Sequence, residues 1–576
     1  MSAREHEASP GRAVTVHVDP ELIASNVSRG WWRDRTLVDD LVDHAAACPD
    51  KTALVAHRAG AEVEPFTYAE LKAKVDQYAA ALLDLGVGPG EVVSFQLPNW
   101  WHINVLHLAA GRIGAVTNAI LPILRRREVS FILERLQPRV FITAQTYRGF
   151  DHAGLAAQVA SDVPTLERVF AVNIHDADAL PVGIEDFSAY FEDRGHSSRH
   201  PADSLNRLLP DANKAAQVQF TSGTTGEPKG VVHTWNTVYA GFMPSVTALG
   251  LTADDVPIGF SPMAHTTGFY LAVSMPTCLG QTAILQDVWD PEVALDLADS
   301  YGATWTMAAA PFIFDMCATA RSTGRKPRTL TRISSAGAPI PPALVTKARE
   351  ELGAQIFSVW GMTEVGAISS TLASDPPERA AESDGKVMEW NELRIVDDDG
   401  VEVPRGGIGR LCVRGASLLV TYFKRPDLFD ESFVVDDWFD TGDLAYMDER
   451  DYVRLAGRSK DLVIRGGENI PVVEVEGILL EHPKVQQIAI VGVPDDRLGE
   501  RAAAVVVPTD PDDPPSLSEL TDFLAAQQMA KQFWPELLTL VEDLPKTATG
   551  KIQKFRVRDL VTTPERASAE YHQEPR

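Results

Sequence analysis

From Phe66 the chain reads FTYAELKAKVDQYAAALLDLGVGPGEVVSFQLPN, an amphipathic helix that runs straight into an apolar strand, and this pairing sets the rhythm of most of the chain. Thr67 stands where an N-cap hydroxyl belongs, Glu70 completes a capping box, and Gly86 and Gly88 close the helix. Upstream, GWWRDRTLVDDLVDHAAACPDKTALVA from Gly30 reads as a helix followed by a strand, with Trp31 and Trp32 as packing anchors. Downstream come a helix through Arg112 and strands at VFITA (140–144) and VFAV (169–172). Alternation of this kind layers helices on sheets, an α/β core. From Phe187 to Asn213, with EDRGHSSRHPADS, the text turns polar and reads as a long surface excursion.

The alternation resumes with IGFSPMAHTTGFYLAVSMPTCLG, AILQD, a helix near 291–301 and TWTMAAAPFIFDM. These segments are rich in small and apolar residues, which suits either the wall of a pocket for an uncharged hydrophobic group or ordinary buried strands. RISSAGAPI (332–340) is a strand ending in a tight turn, and IFSVWGMTEVGA (356–367) follows one helix later. After Ser374 come short strands with frequent turns, such as LRIVDDDGVEV and GRLCVRG, the texture of a β-rich subdomain. From Asp461 a small α+β unit begins and closes with PKTATGKIQKFRVRDL.

A chain of 576 residues exceeds one compact core and implies two or more domains. Its 53 basic and 80 acidic residues give a formal charge of −27, which argues against non-specific nucleic-acid or acidic-membrane binding. Any anionic ligand must therefore be held by a local pocket. Cys48, Cys278, Cys317 and Cys412 are scattered without CxxC spacing, so neither a zinc site nor a disulfide framework is expected, and a reducing cytoplasm fits. MSAREHEASPGRA lacks the apolar core of a signal peptide, and the apolar stretch Ile103 to Leu124 is interrupted by His107 and Arg112. Neither secretion nor a transmembrane segment is expected.

FTSGTTGEPKG, Phe220 to Gly230, is the candidate anion pocket. Thr221, Ser222, Gly223, Thr224, Thr225 and Gly226 leave little bulk between backbone N–H groups and an anion, their hydroxyls add donors, and Lys229 adds one mobile positive charge. AAQVQF before it reads as a strand and Trp235 onward as a helix. It is not a Walker A loop: Gly223 and Gly226 are too close, and no Ser or Thr follows Lys229. A flexible linker is the plainer alternative, but linkers rarely end in Pro-Lys-Gly before an apolar run.

SAGAPI, WGMTE and FDTGDL read as strand-end turns rich in Gly and Thr. Taken in order after FTSGTTGEPKG and before GRSKD and PKTATGK, they resemble the motif series of the adenylate-forming superfamily, specifically the acyl-CoA synthetases. The resemblance extends from about residue 30 to 560. It implies an α/β protein: an N-terminal domain, 1–457, of two α/β lobes plus a β-rich subdomain at about 375–457, then a small mobile α+β domain, 458–576. It also implies a two-step reaction. A carboxylate attacks the α-phosphate of ATP, releasing pyrophosphate, and the acyl-adenylate then passes its acyl group to the thiol of coenzyme A.

On the matched positions, the resemblance gives Thr221, Ser222, Thr224, Thr225 and Lys229, with Gly223 and Gly226, to the β- and γ-phosphates. Glu364 would bind Mg²⁺, a hard carboxylate for a hard cation, and Thr363 would touch the phosphates. Gly337, Ala338 and Pro339 would pass along the adenine, with Trp360, beside Gly361, stacking on it; relatives usually carry Tyr there. Asp443 matches the aspartate that takes both ribose hydroxyls, Arg458 the arginine on the same sugar, and Lys460 the hinge. Lys551 matches the lysine between the incoming carboxylate and the adenylate oxygens. Gly466 and Gly467 lie where relatives form the pantetheine tunnel.

The acyl site falls to SPMAHTTGF and MAAAPF, hence to His265, Thr266, Gly268, Phe269, Ala309 and Pro311. Dihydroxybenzoate-activating relatives carry Asn after this His, where Thr266 stands here. The rest of that wall is small and apolar, so the expected substrate is a hydrophobic monocarboxylate: medium-chain, alicyclic or simple aromatic. GWWRDRTL is similar to the cyclohexanecarboxylate and medium-chain ligase branch. The same adenylation with a separate carrier protein or oxygen as acceptor stays open, as does a non-catalytic nucleotide-binding relative, which the presence of Lys229, Glu364, Asp443 and Lys551 opposes. A homodimer is compatible with this reading.

Overall fold

The computed structural model describes residues 12–173, 179–193, 195–208, 210–221, 228–337, 340–458, 463–465, 468–495, 499–527, 529, 531–546 and 552–562. Two large sheets organise the N-terminal part. In one, the described strands run in the order Thr421–Tyr422, Lys229–Thr234, Ala215–Thr221, Val116–Ala119, Val92–Gln96, Val140–Ala144, Arg168–Val172, Glu185–Asp186. In the other they run Lys386–Val387, Gly366–Ser370, Gln355–Met362, Arg332–Ser335, Trp305–Met307, Pro257–Gly259, Ala283–Gln286, Thr52–His57, Glu64–Thr67, with the interior pairings parallel.

The largest core lies between these sheets. Helix Tyr68–Asp84, with the Thr67/Glu70 capping box in place, and helix His102–Arg112 fill it, together with Val93 and Phe95 of one sheet and Leu54 and Leu285 of the other. Every residue of His102–Arg112 is buried, which explains why this stretch is so apolar without spanning a membrane. Arg112 tolerates that burial because Asp76 of the neighbouring helix takes its Nε at 3.1 Å. No helix of the described residues is long and apolar enough to cross a membrane.

The polar interval 187–213 departs from the surface excursion its composition suggests. Phe187 and Phe191 are fully buried, stacked 4.3 Å apart against Tyr78, and Leu205 is buried with them. Three apolar anchors are enough to dock a polar segment, and its charges find partners. Arg199 and His200 donate to the carboxylate of Asp84 at 2.6 Å and 3.0 Å, and His196 shares it.

The β-rich part forms a third sheet from Asn391–Val396, Gly409–Gly415, Trp438–Met447 and Phe433–Val435, with Val453–Arg458 on Trp438–Met447. The chain then changes sheet. Val463–Arg465 pairs with Glu468–Ile470 and with Gly499–Pro508, which is flanked by Val485–Asp495 and Leu537–Leu540. Helices Val472–Leu479 and Leu517–Ala526 close a separate small core over this sheet.

Candidate active site

Four neighbouring parallel strands of the second sheet deliver the site at their carboxyl ends, the crevice where open α/β sheets take ligands. Pro257–Gly259 leads to His265, Trp305–Met307 to Ala309, Arg332–Ser335 to Gly337, and Gln355–Met362 to Thr363 and Glu364. Each exit is set by local chemistry. His265 caps the short helix Thr266–Phe269 through Nδ1, which accepts from the Thr267 N–H at 3.4 Å. Ala309 precedes helix Ala310–Thr323, which Pro311 opens in its first turn. Gly337 has φ of +91°, a left-handed turn that a side chain would strain.

The Thr363–Glu364 turn is held by close backbone approach. A Cβ on Gly361 would stand 2.1 Å from the Gly366 carbonyl, and one on Gly366, at φ +66°, 2.6 Å from the Gly241 backbone. Both positions are glycine for that reason. His233, buried behind the turn, donates from Nε2 to the Thr363 carbonyl at 2.7 Å while Nδ1 meets the Thr237 hydroxyl at 3.0 Å. Burial pushes His233 down to about 4, opposed by the Thr363 bond, so it is neutral and holds one tautomer.

Facing this turn is the hairpin whose strands flank the candidate anion loop. Ala215–Thr221 and Lys229–Thr234 pair antiparallel, with Thr221 opposite Lys229. Strand alternation sends Val218, Phe220 and Val232 into the outer core and leaves Gln217, Gln219, Thr221, Lys229, Val231 and His233 on the face toward the turn. The Lys229 ammonium stands 4.8 Å over the ring of Tyr422, whose hydroxyl donates to Glu364 Oε1 at 3.1 Å. Glu364 itself is buried.

Trp360 and Asp443, both buried, form a second pair: the indole Nε1 donates to Asp443 Oδ2 at 3.2 Å. FDTGDL is not the strand-end turn its composition suggests. It lies inside the continuous strand Trp438–Met447, as a bulge where the register slips between Arg410↔Leu444 and Cys412↔Asp440. Gly442 at φ +73° makes the bulge, and the Thr441 hydroxyl fixes it by donating to the Leu411 carbonyl at 2.8 Å and accepting from the Asp443 N–H at 3.1 Å. The result aims Asp443 at Trp360, and its backbone pairs with Arg458 on the adjacent strand.

Three acyl-wall candidates are engaged inside the protein. The Thr266 hydroxyl donates to Gln219 Oε1 at 2.9 Å and lies 3.3 Å from the Thr363 hydroxyl. Gly268 is small because a Cβ there would meet the Pro262 carbonyl at 2.2 Å, and Phe269 is buried edge-on to His107 at 4.7 Å. His265 and Ala309 are half-buried and Pro311 is exposed. The helix turn after Phe269 widens into a π-helical stretch, Tyr270–Ser274, a feature frequent at functional sites. Ser222, Gly223, Thr224, Thr225, Gly226, Ala338, Pro339, Lys460, Gly466, Gly467 and Lys551 lie outside the described residues, as does the side chain of Arg458.

Tyr422, His233 and Gln219 are site residues that the sequence motifs do not contain. Gln217 and Gln219, alternating in an otherwise apolar strand, are the one local sign of an inward polar face. Among the described residues no group of three His, Cys, Asp or Glu forms a metal cage. Glu364, a buried carboxylate whose Oε1 accepts from the Tyr422 hydroxyl, has donor chemistry that fits Mg²⁺, which takes one or two carboxylates and fills its shell with other oxygens and water.

The family model for AMP-binding enzymes matches residues 41–423, and that for the AMP-binding enzyme C-terminal domain matches 474–551. A medium-chain fatty-acid–CoA ligase of Escherichia coli (strain K12) is 32% identical over 550 residues, covering 95% of this chain and 94% of the relative. A 2,3-dihydroxybenzoate-AMP ligase of Bacillus subtilis (strain 168) is 29% identical over 550 residues, covering 94% and 96%. Among solved structures, ATP-bound MatB from Rhodopseudomonas palustris superposes with a TM-score of 0.79 at 27% identity, covering 92% of this chain and 99% of that one.

Proposed function

We propose, on the premise that this chain belongs to the AMP-binding enzyme family and is an acid–thiol ligase, that it joins a hydrophobic monocarboxylate to coenzyme A through an acyl-adenylate. The observation that supports this best is that Lys229 and Glu364 meet on Tyr422 while Trp360, on the strand leading into the Thr363–Glu364 turn, meets Asp443. In this reading Thr221, Lys229 and the loop between them stabilise charge moving onto the leaving pyrophosphate, the largest electrostatic demand of the first step. Thr363 adds a donor, Glu364 would hold Mg²⁺, which supplies further charge neutralisation on the phosphates, and Asp443 takes the ribose. Lys551 and Arg458 complete the set as the lysine on the reacting carboxylate and the arginine on the sugar.

His265, Ala309 and Pro311 would face the acid, with Thr266, Gly268 and Phe269 forming the layer behind them. None of these six is an Asp, Glu, Lys or Arg, which supports a medium-chain, alicyclic or simple aromatic acid. The medium-chain ligase relative agrees with this class. The 2,3-dihydroxybenzoate-AMP ligase relative supports a second reading, in which the adenylate is handed to a carrier.

The test is pyrophosphate release over a panel of carboxylic acids, with and without coenzyme A, and mass spectrometry of the products. Turnover of medium-chain, alicyclic or aromatic acids with thioester formation is expected. Turnover confined to polar or amino acids would overturn the substrate class, and adenylate without thioester would overturn the acceptor.

A further inference from the structure

Segment 417–423, which belongs to none of the sequence motifs, is tied to both catalytic motifs at once. Toward the acidic turn, the Ser417 hydroxyl donates to the Val365 carbonyl at 2.6 Å and the Leu419 N–H to the Glu364 carbonyl at 2.7 Å. Toward the anion-loop hairpin, Val420 N–H donates to Val232 and Phe423 N–H to Gly230, at 3.0 and 2.7 Å, while Thr421 and Tyr422 pair in register with Val232 and Val231. At the centre stands Tyr422, buried in the same apolar cluster as Val231, Trp360 and Val365. It touches both catalytic charges. Its ring lies under the Lys229 ammonium, and its hydroxyl holds Glu364 Oε1.

We infer that Tyr422 is a positioning residue for adenylation, fixing the Lys229 ammonium and the Glu364 carboxylate in the relative geometry that a metal–triphosphate requires. The inference rests on the proposed roles of Lys229 and Glu364. A flexible lysine and a carboxylate on separate strands have no inherent reason to keep one spacing. A rigid aromatic ring that seats the ammonium on its face and donates to the carboxylate from its edge supplies it. The aromatic ring and the hydroxyl do separable jobs, and substitutions can remove them one at a time.

The experiment compares full-length wild type with Tyr422→Phe, Tyr422→Leu and Phe423→Leu. Phe423, the strand neighbour, packs into the outer core, so its substitution controls for loosening of the strand. The readouts are acid-dependent ATP–pyrophosphate exchange across a Mg²⁺ titration, and equilibrium binding of α,β-methylene-ATP with and without Mg²⁺. Tyr422→Phe should raise the Mg²⁺ concentration for half-effect in both assays by about tenfold, what one hydrogen bond to a charged group is worth, and leave metal-free nucleotide binding unchanged. Tyr422→Leu should in addition weaken metal-free binding, since Lys229 loses its seat. Wild-type Mg²⁺ dependence in Tyr422→Phe would overturn the inference, as would the same shift in Phe423→Leu. If wild type itself showed no exchange with any acid, the adenylation reading would fail, and the binding arm would still decide the role of Tyr422.

Discussion

Replacing Trp360 by Phe keeps an aromatic ring in the site and removes a single donor, the indole N–H on Asp443 Oδ2. At 3.2 Å the bond is long, so its main service is orientation. Without it, Asp443 keeps fewer bonds to orient its carboxylate toward ribose hydroxyls, and immobilising one such side chain costs about 0.5–1.5 kcal/mol. That corresponds to roughly a two- to twelvefold loss in kcat/KM for ATP, at about 1.4 kcal/mol per factor of ten. The smaller ring also weakens any stacking on the base, which would lower kcat/KM as well. The two effects separate when ATP is compared with 2′,3′-dideoxy-ATP in the exchange assay. Lost stacking lowers both nucleotides alike, whereas loss of orientation lowers only the one with hydroxyls to offer. The ratio of the two specificity constants should therefore fall by about two- to twelvefold in Trp360→Phe, from the same entropic cost. An unchanged ratio, with both nucleotides weakened together, would refute the orienting role and leave Trp360 a stacking ring only.

Gly366→Ala forces a side chain into a left-handed backbone whose Cβ would stand 2.6 Å from Gly241, and should cost at least about 2 kcal/mol, read as a lowered Tm, with loss of exchange as the Thr363–Glu364 turn shifts. Thr266→Val strips the hydroxyl from Gln219 and Thr363, and should lower kcat with little change in KM for the acid; a change confined to that KM would instead make Thr266 a direct wall of the acyl pocket. Burial alone would raise Asp84, but bonds from Arg199, His196 and His200 outweigh it and bring it down to about 2. Its stabilisation is then present above the ordinary carboxylate value near 4 and disappears as pH falls toward 2, so Asp84→Asn should flatten the acid limb of the stability curve and speed hydrogen exchange in 195–205 at neutral pH.

The features legible in the sequence are those that repeat or signal locally. The Thr67/Glu70 box is a spacing of three residues, and the structure has it in place. The strand at 140–144 and the turn at Gly337 follow from an apolar run and from glycine where φ is positive, whereas Gly442, equally a glycine at positive φ, sits in a bulge inside a strand that local composition does not reveal. The polar interval 187–213 defies its composition because burial of Phe187 and Phe191 depends on Tyr78, a partner on a distant helix that composition cannot supply. Tyr422 is invisible in the sequence for the same reason: TYFKRP carries no catalytic spacing, and its meaning comes from strand pairing with Val231 and from Glu364. Sequence pattern reports what a residue's neighbours in the chain require, and both of these are requirements of neighbours in space.

The division of labour in the site follows from which sheet each part belongs to. The Lys229 hairpin is part of one large sheet, Glu364, His265 and Ala309 stand at strand ends of the other, and Asp443 comes from the third. Three separate sheets can present the proposed nucleotide site with fixed dimensions only if something ties them together at the site itself. The ties are few and identifiable: Tyr422 and the 417–423 backbone join the hairpin to the Glu364 turn, Trp360 joins that turn to Asp443, and His233 and Thr266 brace Thr363 from behind. Substitutions at the ties should move metal dependence and ribose discrimination while sparing acid preference, and substitutions at His265 or Ala309 should do the reverse. Acid selection can then vary on the strand ends without disturbing the geometry of phosphoryl chemistry, the arrangement a family with many acids and one first step requires.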